Sequence, residues 1–314
     1  MERIVFGPVP SRRLGQSLGV NNIPYKVCSY SCLYCQIGRT DNVTSERRAF
    51  YPVEKIVGEV GSIIKILQEK KEKIDYITFV PDGEPTLDIN IGKEIEELKK
   101  FGIKIAVITN ASLLWDKDVR ADLNKADLVS IKVDAFEANV WGKINRPAEN
   151  LDYKKVLEGI EIFRREYKGK LLTETLLVKD INDSEEELRK VANFIKGLNP
   201  SVAYIGIPTR PPAEDWVSPP CIEIINKAYL IFTEFQLNTE LILGIGDVEF
   251  GYTGDVEKDI LNIISVHPMS SKQVEELLKK AGKTWDVIKN LVTEKKAREI
   301  EYRGERYYLR NFTH

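Results

Sequence analysis

From residue 17 to about residue 212 the chain alternates short apolar runs with longer segments whose apolar residues recur at helical spacing. Residues 17–22, 75–80, 103–109, 128–134, 171–178 and 202–207 have the length and composition of strands. Between them, residues 53–71 put Ile56, Val57, Val60, Ile63, Ile64 and Leu67 on one helical face, and residues 91–101 stop at Gly102, a residue suited to a left-handed helix end. Residues 116–125, 151–167 and those after Ser184 read as further helices, with Ser184 and Glu187 at the spacing of a capping box. Six β/α units with short joins predict an α/β fold: a parallel sheet with right-handed crossovers, curled into a partial (β/α)6 barrel. Such barrels carry their chemistry at the C-terminal ends of the strands.

Polar residues stand at every one of those ends. A cysteine loop follows the first strand and Pro81-Asp82-Gly83-Glu84-Pro85 the second. Thr109-Asn110, Lys132-Val133-Asp134, Thr173-Glu174-Thr175 and Pro208-Thr209-Arg210-Pro211-Pro212 end the rest. The loop holds Cys28, Cys32 and Cys35 in a C-x3-C-x2-C run, and the only other cysteine is Cys221. Three crowded thiols in a long chain are not a disulfide framework. Incidental thiols are the bland alternative. Structural zinc needs four ligands, but no second cysteine pair exists, and His267 and His314 lie far down the chain. An iron–sulfur cube normally takes four cysteines; three leave one iron open to a small molecule. Cys221 precedes Ile222, Ile224, Ile225 and Ala228, which predicts a buried structural thiol.

The C-x3-C-x2-C run, with Tyr34 before its last cysteine, resembles the signature of the radical S-adenosylmethionine (SAM) superfamily. Asp82-Gly83-Glu84-Pro85 is similar to that family's GGE motif, with Asp in its first place. The resemblance implies a [4Fe-4S] cluster on Cys28, Cys32 and Cys35, with SAM chelating the open iron. It places Tyr34 near the adenine, Asp82, Gly83, Glu84 and Pro85 at the SAM amino group, and Thr109, Asn110, Lys132, Asp134 and Glu174 along the rest of SAM. Lys132 lies in an apolar strand, so it needs an anionic partner; a structural ion pair with Asp134 or Glu174 is the alternative. The opening Gly7-Pro8-Val9-Pro10-Ser11-Arg12-Arg13-Leu14-Gly15 and the segment Asn145-Arg146-Pro147 resemble the subgroup related to wyosine-base synthases of tRNA, which carry further N-terminal cysteines absent here. Arg12, Asn145 and Arg146 are thereby expected as substrate contacts.

After Pro219-Pro220 come a helix, a strand-like run at 241–243 and a join containing Gly244, Gly246, Gly251 and Gly254. This predicts two domains, 1–245 and 246–314. The second reads as helix, helix, helix, hairpin, with Ser270 and Gln273 as a capping box, Thr284 capping the third helix and Gly304-Glu305 as a turn. That order resembles a winged helix, whose third helix and wing carry Lys283, Lys289, Lys295, Lys296, Arg298, Arg303, Arg306 and Arg310 among acids that dilute the charge. A net charge of −2 excludes bulk electrostatic coating of nucleic acid, though not a local patch. No run of about 18 apolar residues predicts a membrane span, and no secretory signal is read at the start; reduced thiols suit the cytoplasm.

The reading is a radical SAM enzyme: reductive cleavage of SAM gives a 5′-deoxyadenosyl radical that abstracts hydrogen from a substrate. RNA, tRNA among it, stands ahead of a peptide, protein or small metabolite. A ferredoxin- or flavodoxin-type donor is the expected reductant. A non-catalytic iron–sulfur sensor that binds DNA is the opposing class.

Overall fold

The computed structural model describes residues 4–80, 82–243, 250–266 and 268–311. Strand β1 (Val5–Ser11) turns back antiparallel into β2 (Gly15–Val20), and a two-residue ladder of β3 (Val27–Cys28) with β4 (Asn42–Val43) brackets the cysteine loop. Then follow β5 (Tyr76–Phe79), β6 (Lys104–Thr109), β7 (Leu128–Lys132), β8 (Lys170–Leu176), β9 (Val202–Gly206) and β10 (Thr239–Ile242). The large sheet runs β1-β2-β5-β6-β7-β8-β9-β10, parallel from β2 to β10. The six expected strands are β2 and β5 to β9. The sheet gains β10 at one margin and β1 at the other. Pro8 and Pro10 hide β1 from a strand pattern, yet an edge strand tolerates proline because its free side makes no ladder bonds.

The crossovers are α1 (Val53–Glu69), α2 (Ile91–Leu98), α3 (Lys117–Leu123), α4 (Ala138–Asn145), α5 (Tyr153–Glu166), α6 (Glu185–Leu198) and α7 (Ile222–Glu234). Alternate strand residues decide the layers. Ile105, Val107, Val129 and Ile131 join Ile56, Val60 and Leu67 in the sheet–helix core. Ala106, Leu128, Leu172 and Tyr204 instead meet Leu14 inside the curl of the sheet, leaving its C-terminal mouth for the site. Of the capping box expected at α6, only half forms. Ser184 Oγ accepts from Glu187 N at 3.3 Å, while the Glu187 carboxylate accepts from Phe136 N (2.5 Å) and Glu137 N (3.1 Å). The backbone N–H groups of Phe136 and Glu137, in the segment entering α4, claim it.

The C-terminal segment orders α8 (Val256–Val266), β11 (Met269–Ser270), α9 (Ser271–Lys280), α10 (Asp286–Thr293), β12 (Ala297–Tyr302) and β13 (Glu305–Arg310), with a sheet β11-β13-β12 and a core of its own. Ser270 and Gln273 form a complete capping box on α9. Trp285, not Thr284, is the N-cap of α10; the Thr284 hydroxyl donates to Asp286 Oδ2 at 3.0 Å. The expected boundary at 245/246 lies outside the described residues. This segment touches the large sheet at β1 and after β9. Gly251 N donates to Pro8 O at 2.8 Å beside β1, and the hydroxyls of Tyr302 and Tyr307 donate to Pro208 O (3.2 Å) and Thr209 O (3.1 Å) after β9.

One buried polar group sits beneath the turn after β5. Asn22 Nδ2 donates to Pro85 O (3.2 Å) and to Glu94 Oε2 (3.3 Å), and Asn22, Asp88 and Glu94 are all fully buried. Burial first, and neighbouring Asp88 second, hold the Glu94 carboxyl far above its usual range. A carboxyl with a raised folded pKa binds a proton that the unfolded chain has lost, so stability falls as pH climbs from the ordinary carboxylate range towards the raised value. Glu94→Gln, which cannot ionise, is expected to flatten the pH dependence of the melting temperature between pH 5 and 9. At pH 9 the variant should exceed the unaltered protein by about 1–2 kcal/mol, a few degrees.

Candidate cofactor site

The cysteine loop crosses the C-terminal mouth of the sheet, clamped by the join between α4 and α5. Ser31 N donates to Asn145 O (3.0 Å), Leu33 N to Ile144 O (2.9 Å) and Ala148 N to Ser29 O (2.9 Å). Beneath it, the buried Asp134 carboxylate accepts from the Tyr34 hydroxyl, from Asn145 Nδ2 (2.9 Å) and from Leu176 N (2.9 Å). Asp134, expected beside SAM, thus pins the loop, and Asn145, expected at the substrate, serves the same pin.

Each thiol has a side-chain nitrogen donor. Asn110 Nδ2 lies 3.7 Å from Cys28 Sγ, Asn145 Nδ2 3.3 Å from Cys32 Sγ and Lys26 Nζ 3.7 Å from Cys35 Sγ. Burial pushes the Cys28 and Cys32 thiols up, Cys32 to about 12, with Glu84 adding at Cys28 and Asp134 at Cys32. Loading a metal there displaces protons. Among the described residues no three His, Cys, Asp or Glu side chains converge on a single-ion site. All three cysteines instead line one cavity of about 410 Å³. Three soft thiolates, spread around a shared cavity and each met by an N–H donor, fit an iron–sulfur cluster better than zinc.

The turn after β5 forms the next wall. A Cβ on Gly83 would stand 1.8 Å from Val27 O, and Glu84 N donates to that same carbonyl at 3.2 Å. Only glycine lets the turn approach the start of the cysteine loop so closely. Pro85 opens a short 3-10 turn. Glu84 Oε1 accepts from Thr86 N (3.1 Å), Thr86 Oγ1 (2.6 Å) and Thr109 Oγ1 (2.6 Å), and Oε2 accepts from Asn110 N at 2.7 Å. Asp82 Oδ2 accepts from Asn21 Nδ2 at 2.8 Å. Asp82, Gly83, Glu84, Thr109 and Asn110 all face the cavity.

Across it, Lys132 and Glu174 are register partners on β7 and β8, with Nζ 3.3 Å from Oε1. Lys132 also lies 5.0 Å from the centre of the Tyr34 ring. Arg13 donates to the other oxygen of Glu174. Of the two opening arginines, Arg12 is the exposed one at the β1–β2 turn, and Arg13 reaches inward. Arg146 pairs with Glu214, which also holds Arg39 at 2.7 Å, and it does not line the cavity. Cys221 is exposed as the N-cap of α7, contrary to the buried thiol expected from the apolar pattern, because the buried face of α7 starts only at Ile225 and Ile222 is exposed as well. The sequence reading missed Lys26, Arg13 and Gln273 as cavity residues. Arg12 and Arg13 share the β1–β2 turn, where no strand periodicity tells them apart, and Lys26 and Gln273 depend on distant contacts.

A model of the radical SAM superfamily matches residues 22–195. The chain belongs to the radical SAM superfamily. It is 50% identical to the UPF0026 protein MJ1312 of Methanocaldococcus jannaschii over 98% of this chain and 96% of that one. A Brachyspira hyodysenteriae protein named GTPase Obg is 35% identical over 92% of this chain, which spans only 44% of it. A Thermotoga protein named probable dual-specificity RNA methyltransferase RlmN is 26% identical over 61% of this chain and 55% of its own length. In fold, the chain matches a radical SAM methyltransferase of Sphaerobacter thermophilus with a TM-score of 0.54 at 14% identity, covering 73% of this chain and 67% of that one. It matches Streptococcus suis SuiB bound to S-adenosylmethionine with a TM-score of 0.52 at 13% identity, over 70% and 49% of the two chains. The chain is therefore an enzyme of this superfamily with the curled half-barrel of its relatives. A [4Fe-4S] cluster and SAM are the superfamily's cofactors, and the cavity accommodates their chemistry.

Two glycine substitutions separate fold from cavity. Gly83→Ala forces backbone apart and is expected to cost about 3 kcal/mol in chemical denaturation. A Cβ at Gly206 meets nothing within 4 Å, and Gly206 lines the cavity. Gly206→Val is expected to change stability by less than about 0.5 kcal/mol while weakening SAM binding about tenfold in calorimetry.

Proposed function

We propose that Cys28, Cys32 and Cys35 hold three irons of a [4Fe-4S] cluster and that SAM occupies the adjoining cavity. When bound, the reduced cluster and SAM supply a 5′-deoxyadenosyl radical that takes a hydrogen atom from substrate. The observation that carries this reading is the convergence of three thiols, each with its own nitrogen donor, on one cavity at the mouth of the sheet. Asp82 and Glu84 place carboxylates on the wall nearest the loop, suited to an ammonium group. Pro85 and Gly83 set the backbone path of that wall. Tyr34, Thr109, Asn110, Lys132 and Glu174 face the remainder, and Lys132 and Arg13 together neutralise Glu174. Asp134 acts one step back, holding Tyr34 in place. Among the described residues no helix is long and apolar enough to cross a membrane; a cytosolic setting and a ferredoxin- or flavodoxin-type donor suit reduced thiols.

For the substrate, we favour RNA, tRNA included. Lys295, Lys296, Arg298, Arg303 and Arg306 are exposed on and beside the β12–β13 hairpin, in a segment whose element order suits a winged helix. The RNA methyltransferase named above supports the same direction. Fold alone decides nothing here, so the substrate reading stands on those exposed cations, of which Lys296 and Arg306 are also paired with Glu294 and Glu299. The DNA-binding sensor loses ground to membership in an enzyme superfamily.

The test is anaerobic reconstitution with dithionite and SAM, following 5′-deoxyadenosine by chromatography. The intact chain should hold about four irons and release deoxyadenosine, faster with an RNA fraction of cell extract. Replacing all three loop cysteines by alanine should abolish both iron and product. Iron retained by that variant would overturn the site; stimulation by the protein fraction instead of RNA would overturn the substrate.

A further inference from the structure

The loop thiols do not share one electrostatic setting. The donors on Cys28 and Cys32 are the neutral amides of Asn110 and Asn145, and each amide residue is backed by a buried carboxylate. Asn110 N donates to Glu84 Oε2 at 2.7 Å, and Asn145 Nδ2 donates to Asp134 Oδ2 at 2.9 Å. At Cys35 the donor is a cation. Lys26 Nζ stands 3.7 Å from Cys35 Sγ and also donates to the carbonyl of Gly38, further along the loop. Net charge and hydrogen bonds at the sulfurs are among the levers that set the reduction potential of an iron–sulfur cluster.

A second observation concerns Lys26 itself. It is 3% exposed, and among the described residues its ammonium meets the Gly38 carbonyl and the Cys35 sulfur but no carboxylate. A buried cation without an anion is expensive. Its backbone is left-handed, with φ +58°, a region that strains a lysine. Lys26 N donates to Asp82 O at 3.1 Å, which ties this strained residue to the turn after β5. Burial and strain both argue against a lysine at this position for the fold alone. Three thiolates on a cubane carry net negative charge, and one-electron reduction adds to it.

We propose that Lys26 is the counter-charge of the cluster: fixed at Cys35, its ammonium raises the reduction potential and offsets Glu84 and Asp134, which oppose the incoming electron. This rests on the cluster reading of the loop and names the residue that makes the cluster reducible. Lys26 acts through Cys35 and exchanges no proton in the step. Its charge is effective because a buried site is weakly screened by water and salt.

The test is a potentiometric titration of the reconstituted full chain with dithionite, without SAM, read by the paramagnetic resonance signal of the reduced cluster. Lys26→Gln keeps a side-chain N–H donor and removes the charge; Lys26→Arg keeps the charge. Lys26→Gln should hold about four irons, with its reduction equilibrium weakened tenfold or more, a fall of at least about 59 mV for one electron. Lys26→Arg should restore the unaltered potential. In the cluster-free chain Lys26→Gln should melt no lower than the unaltered chain, because there the cation has no anion to meet. A potential unchanged in Lys26→Gln, or lowered as far in Lys26→Arg, overturns the counter-charge. If Lys26→Gln loads no iron, loading by Lys26→Arg supports the counter-charge, and failure of both to load overturns it. A melting temperature lowered equally in cluster-free and loaded Lys26→Gln marks a structural lysine and also overturns it. Absence of iron from the unaltered chain instead overturns the cluster reading beneath.

Discussion

The buried carboxylate of Asp134 is the junction on which the site depends. It gathers the Tyr34 hydroxyl from the cysteine loop, Asn145 from the end of α4 and the amide of Leu176 from the end of β8. Hydrogen bonds to a charged acceptor contribute about 1.5–3 kcal/mol each, and an unpaired buried carboxylate would cost more than any one of them returns. The three partners therefore form together. Through Asn145, the same junction orients the donor on Cys32. Three thiols in a loop are mobile by default; this arrangement fixes the direction in which they face.

The fold was legible wherever local pattern decides structure. Strands β5 to β9 are apolar runs closed by polar residues, and the sheet inherits their order. Strand β1 escaped notice because Pro8 and Pro10 erase the strand pattern, which an edge position tolerates. Helix α4 is eight residues long, and the backbone entering it is held by Glu187 from a helix some fifty residues later. No local signal could announce that. The site divides the same way. The cysteines, Gly83 and Glu84 are local motifs and could be read directly. The work of Asp134, the inward turn of Arg13 and the reach of Gln273 are tertiary facts. Of the two arginines expected at the substrate, Arg12 lines the cavity from an exposed turn, while Arg146 is engaged by Glu214 away from it.

The C-terminal segment changes what kind of cavity this is. A curled sheet left open between β1 and β10 would expose radical chemistry to solvent. Here α8 lies against β1, and the β12–β13 hairpin reaches the loop after β9. The opening is spanned, and the covering segment contributes Gln273 to the lining. Selectivity and protection thus have one structural source.

The central claim is that three thiols hold a cluster whose fourth iron remains open to SAM. Electron paramagnetic resonance of the dithionite-reduced, reconstituted chain, recorded with and without SAM, tests it most directly. The account predicts a reduced [4Fe-4S] signal whose line shape and g-values shift when SAM is added, because the ligand enters the coordination of the open iron. A signal unchanged by saturating SAM, or no cluster signal at all, would contradict it.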